Sequence, residues 1–139
     1  KMIKGMQKIL LELGNYGCYF LSIVEAAERR SGKEYSILPI FLEMKKKGFI
    51  GKDSYIFFPD KILSALTGKP YTIRHERKDY KPKAGEIEIL RYEWRYKDNV
   101  SAHFVLGDGY GRIAYDPLAG SYTVQNGLLE SKRIFTPVK

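Results

Sequence analysis

Apolar residues recur every three or four positions through the first half of the chain and every second position through much of the second half. The first pattern belongs to helices with one buried stripe, the second to strands with one buried face. Ile3, Met6, Ile9, Leu10 and Leu13 form a first helical stripe, which Gly14 stops. A second helix is predicted over 17–30, with Phe20, Leu21, Val24 and Ala27 inward and Asn15 as a cap near its start. Ser36 caps a third helix over 36–47, which accommodates Pro39 in its first turn and ends at Gly48. Pro59 and Asp60 open a short helix over 59–66, stopped by Thr67-Gly68.

From Lys69 onward the period changes. PYTIRHE, residues 70–76, is a predicted strand, and a polar connection leads to IEILRYEWRYK, residues 87–97. There Tyr92, Trp94 and Tyr96 alternate with Arg91, Glu93, Arg95 and Lys97. Ile87 and Ile89 have the opposite parity, so a bulge is predicted near Ile89-Leu90. AHFVLG, a tight turn, RIAYD and SKRIFTP supply the remaining strands. The expected class is α+β: a single domain over 1–139, its helical half (about 1–67) packed on an antiparallel sheet (about 69–139).

Composition changes this picture little. The 139 residues are 44% hydrophobic and 29% charged, as in a soluble globular protein. No apolar run approaches the roughly 20 residues that cross a bilayer. The first residues lack the apolar block and cleavage site of a signal peptide, so a cytoplasmic location is expected. The single cysteine permits no internal disulfide and no multi-thiolate zinc site. No metal or organic cofactor is indicated. The net charge of +8 is dispersed along the chain and fits solvated faces better than a phosphate-tracking groove. Residues 36–57 do resemble the recognition helix and wing of a winged helix-turn-helix protein, with Lys45, Lys46, Lys47 and Lys52 placed for phosphates. Lysines at a helix C-terminus also complement its dipole, and the many strands that follow disfavour a nucleic-acid partner.

Candidate chemistry starts at Cys18, in NYGCYF, just where the second helix is predicted to begin. A helix N-terminus and a neighbouring imidazolium both stabilise a thiolate. The segment SAHFVLGDGYGRIAYDPLAG, residues 101–120, supplies the partners. A two-residue turn at Gly109-Tyr110, or a four-residue loop over 108–111, gives one and the same hairpin register. In it Leu106 faces Ile113, Phe104 faces Tyr115, Val105 faces Ala114, and His103 faces Asp116. Directly opposed side chains meet, so the imidazole gains a carboxylate, and the small Ala114 leaves room for a helix end. A three-residue loop would break this register and separate the two groups. The other histidine, His75, lies in the charged string RHERKD and reads as surface.

These residues resemble the papain-like cysteine peptidase superfamily, and within it the bacteriocin-processing, C39-like group. The matching features are the cysteine opening a helix in NYGCYF, the histidine opening a late strand in HFVLGDGYG, and the Asp-Pro pair in YDPLAG with Gly120 beyond it. The resemblance implies a papain-like fold and a hydrolase cleaving an amide of a peptide or peptidoglycan-like substrate. Cys18 would be the nucleophile, His103 the general base and then acid, and Asp116 its orienter. Two positions depart from the family pattern. Glu12 stands where members carry an oxyanion-binding Gln, and a carboxylate there would repel the oxyanion. The Cys18 N–H, with Asn15 or Gln7, would then form the hole. Tyr19 replaces a small residue after the cysteine and, with Trp94, would line a substrate groove. A catalytically silent scaffold of the same fold is the alternative.

Overall fold

A computed structural model describes residues 2–139, with side chains from residue 5 onward. Its helices are α1 (Met2–Tyr16), α2 (Cys18–Ser31), α3 (Ile37–Lys46), α4 (Pro59–Thr67) and α5 (Tyr122–Asn126), with a 3₁₀ turn at Lys52–Ser54. The strands are β1 (Tyr71–Arg77), β2 (Ile87–Tyr96), β3 (Asn99–Gly107), β4 (Ile113–Tyr115) and β5 (Leu128–Pro137). They form one antiparallel sheet in the order β1-β5-β2-β3-β4. The last strand in sequence therefore lies between β1 and β2, and the sheet closes only when the C-terminal segment is in place. The architecture is α+β: α1 to α4 precede the sheet and pack on one of its faces, while α5 lies between β4 and β5.

Strand register puts Ile73, Ile87, Ile89, Phe104, Leu106 and Phe135 on that face. Against it pack Phe20, Ile23, Val24 and Ala27 of α2 and Ile62 and Leu63 of α4, with Phe41 and Met44 of α3 in the same core. Each large side chain removed from water contributes about 1.5–3 kcal/mol, which makes α2 and α4 the elements most firmly fixed to the sheet. Leu21, predicted inward, is half-buried beside them.

The first helix departs from its predicted extent. It runs past Gly14 to Tyr16, and only its C-terminal part docks: Leu13 is buried and Ile9 partly so, while Met6 and Leu10 are exposed. The side chain of Ile3 lies outside the described residues. Asn15 falls in the last turn of α1 and does not cap α2, because Gly17 holds the N-cap position. Gly17 donates its N–H to the Leu13 carbonyl (2.9 Å) and accepts from Leu21 N–H (2.8 Å), so one residue joins the two helices. A Cβ there would collide with the Leu13 carbonyl, which is why the residue before Cys18 is glycine. At α3, Ser36 does hold the N-cap position, but its side chain makes no capping bond.

The predicted bulge in β2 is also corrected. β2 pairs with β3 without interruption, and the extra residue is Glu130 of β5, where Arg91 faces Ser131 and Tyr92 faces Leu129. No switch of parity is needed, because Ile87, Glu88, Ile89 and Leu90 are all buried. The outer face is covered too. Glu88 and Lys132 form an ion pair there (2.8 Å) with side chains 0% and 4% exposed. Further along the same face, Trp94 packs edge-on against Tyr122 of α5 and stacks on Tyr96. The aromatic alternation marks this outer face and not the helix-facing one. The 3₁₀ turn and α5 were not predicted, being too short to show a period.

Candidate active site

The β3–β4 hairpin carries the proposed histidine and aspartate, and its register differs from the predicted one. Asp108 N–H donates to the Arg112 carbonyl (2.9 Å), enclosing a three-residue loop over 109–111. Gly107 then faces Ile113, but Leu106 faces Tyr115, so a second irregularity adds one more residue on β4. Leu106 therefore does not face Ile113, nor Phe104 Tyr115. Side chains alternate faces along a strand, so one slip would separate His103 from Asp116. Two slips restore the face. Extended past Tyr115, this register puts Asp116 level with Val105, diagonal to His103. Long side chains bridge such a diagonal, and His103 Nε2 lies 2.6 Å from Asp116 Oδ1.

Asp116 is itself fixed, since Oδ1 also accepts the Leu118 N–H at 2.9 Å. A carboxylate offers only acceptors, so the imidazole proton of the neutral ring sits on Nε2, leaving Nδ1 for the thiol. The ring is buried, 6% exposed. Burial alone would make it harder to protonate, but hydrogen bonding to Cys18 and to Asp116 outweighs this and raises its pKa above the ordinary value.

Cys18 is the first residue of α2, and it is half-buried. The first turn of α2 contains no acidic residue, so its N–H groups and positive dipole end face the thiol without a competing carboxylate. β4 pairs with β3 only at Leu106 and Gly107. The rest of that β3 edge receives the start of α2. Two consecutive residues of the helix meet two consecutive residues of the strand. Cys18 approaches His103, while Tyr19 stacks on Phe104 at 4.2 Å with the rings 9° from parallel. The Ser22 hydroxyl bridges the same edge, 2.8 Å from the Cys18 carbonyl and 3.3 Å from that of Phe104.

A cleft of about 610 Å³ opens beside the thiol. One wall is the segment from Asp53 to Phe57, and the other is the sheet, with Ile73, Arg91, Phe104 and Arg133. Asn15 and Tyr19 line it as the sequence suggested; Gln7 and Trp94 do not. Gln7 is exposed on α1 away from the cleft, whereas Asn15, also exposed, borders it beside Cys18. Trp94 lines a separate cavity with Arg77, Asn126 and Glu130. His75 is exposed, as expected, and also borders the cleft.

Glu12 has a role its position did not suggest. Its carboxylate receives the Lys45 ammonium at 2.6 Å and the Ser54 N–H and hydroxyl at 2.7 and 3.0 Å. Burial opposes ionisation, but these bonds outweigh it and hold the pKa below the ordinary value. Asp53 and Ser54 both have left-handed backbones, φ 55° and 58°, which non-glycine residues adopt only at some cost. Glu12 thus fixes a strained wall of the cleft while Lys45 neutralises its charge. The same bond engages one of the lysines that a winged-helix surface would need. Only the fold could reveal this, since Glu12, Lys45 and Ser54 are far apart in sequence.

Among the described residues no helix is long and apolar enough to cross a membrane, and no three His, Cys, Asp or Glu side chains gather as a metal ion requires. No curated protein and no solved structure matches the chain. Residues 1–137 match the family model described as "Protein of unknown function, DUF261", and with that match over nearly its whole length the chain belongs to the DUF261 family.

Proposed function

We propose that this chain is a papain-like thiol hydrolase that cleaves an amide bond of a peptide or peptidoglycan-like substrate. The observation that carries the reading is the imidazole of His103, held through Nε2 by Asp116 and presented to the one cysteine of the chain at a helix start. Cys18 gives its proton to Nδ1, and the sulfur attacks the carbonyl carbon. The carbonyl electron pair moves onto oxygen, facing the Cys18 N–H and Asn15. When the tetrahedral species collapses, the C–N bond breaks and the imidazolium protonates the leaving amine. Water, deprotonated by the same ring, then hydrolyses the thioester and regenerates the thiol. Asp116 holds the ring through Nε2 and stabilises the imidazolium.

The pH dependence follows from the raised pKa of His103. The imidazolium persists to higher pH than an ordinary histidine, whose pKa is about 6.5, so the alkaline limb of turnover lies above that value. Every alkylation event reports Cys18, as the chain has no other cysteine. Iodoacetamide labelling of Cys18 should therefore slow in His103→Ala, while Cys18→Ala abolishes peptide turnover. Labelling at an unchanged rate in His103→Ala would leave the silent scaffold instead.

A further inference from the structure

Most arginines of this chain are answered by a carboxylate. Arg29, Arg74, Arg77, Arg91, Arg95 and Arg112 each have one within ion-pair distance. Arg133, half-buried in the wall of the Cys18 cleft, has none among the described residues. Its guanidinium lies 5.6 Å from the centre of the Phe104 ring, the ring on which Tyr19 stacks. Only its Nη1 makes hydrogen bonds, to the Ser131 hydroxyl at 2.9 Å and at 3.5 Å to the Lys132 carbonyl. Nε and Nη2, the edge that takes a carboxylate in two parallel bonds, have no partner among the described residues. Glu130 is engaged by Arg91 and Ser131, and Asp53, the acid lining the cleft, forms no ion pair among the described residues.

A half-buried cation with no carboxylate partner is costly to keep unless something completes it. We propose that Arg133 binds a carboxylate of the substrate, so that the amide cleaved at Cys18 lies next to an acidic group. The anion would be an acidic side chain or a free C-terminus. This substrate assignment rests on Cys18 being the reactive centre, but carboxylate binding in the cleft can be measured without any turnover.

The probe is a pair of reagents that form the same S–C bond and release iodide, one anionic and one neutral: iodoacetate and iodoacetamide. Their rate ratio on the folded chain is divided by the ratio on the urea-unfolded chain, which cancels intrinsic reactivity. The folded chain should favour iodoacetate by about tenfold, the effect of one charge-assisted interaction. Arg133→Gln should return the ratio to the unfolded value, and Arg133→Lys should fall between. Arg30→Gln removes the same charge from the exposed end of α2 and should change nothing. A ratio near one in the native chain, or equal losses in Arg133→Gln and Arg30→Gln, overturns the proposal.

Protection of the native chain from iodoacetamide needs no variant. Acetylglutamate amide should protect if an acidic side chain is recognised, and acetylalanine if a free C-terminus is. Equal protection by neutral acetylalanine amide overturns carboxylate recognition. Failure of the triad reading would appear separately, as an iodoacetamide rate unchanged in His103→Ala with the reagent ratio intact.

Discussion

On β5 the consecutive residues Lys132 and Arg133 point to opposite faces of the sheet, and the two faces treat a positive charge differently. The Lys132 ammonium donates to Glu88 and to the Tyr80 carbonyl, both at 2.8 Å. The other Glu88 oxygen accepts the Gly109 and Gly111 N–H groups at 2.7 and 2.9 Å. Glu88 also fills the space that a side chain at Gly107 would need. Every charge there is answered, and the bonds tie β2, β5 and the β3–β4 loop into one unit. Arg133, one residue on, faces a cleft and lacks a carboxylate partner among the described residues. A saturated buried charge belongs to the architecture, whereas an open one beside a reactive group marks a place for a ligand.

The sharpest way to break the contrast is to unbalance the saturated side. Glu88→Ala strands Lys132 in a buried site and removes the acceptor of two loop N–H groups. A loss of about 3–5 kcal/mol is expected in urea unfolding. Faster exchange of the Gly109 and Gly111 amides should accompany it, because the loop that leads to Asp116 loses its anchor. An intermediate effect should come from the far wall of the cleft. Glu12→Ala removes the bonds that hold the left-handed Asp53–Ser54 turn and should cost about 1–3 kcal/mol. The smallest effect belongs to the open side. Arg133→Met keeps an unbranched stem against Phe104 and removes an unpaired charge, so unfolding should change by no more than about 0.5 kcal/mol. A large destabilisation by Arg133→Met would assign that arginine to the scaffold and erase the distinction between the two faces.

Much of the fold was legible because periodicity is local. The starts of α2 and α4 and the cores of β1, β2, β3 and β5 lie where apolar spacing put them. The meeting of His103 with Asp116 was also legible, though through the wrong register. It survived because two one-residue irregularities add up to a shift that keeps side chains on the same face. Parity in β2 misled, since the strand is buried on both faces at its start and burial no longer alternates. Trp94, expected to line the substrate groove, lines a separate cavity instead.

By itself the sequence determined most of the helices and strands, that one thiol opens a helix, and that a histidine and an aspartate share a hairpin. These depend on neighbours within a turn or a pleat. The tertiary structure alone decided which charges are answered: Lys132 by Glu88 across 44 residues, Glu12 by Lys45 across 33, and Arg133 by no carboxylate among the described residues. Coulombic and hydrogen-bond partners are chosen by distance in space, which chain position does not encode, and that choice separates the residues that build this protein from those left free to bind.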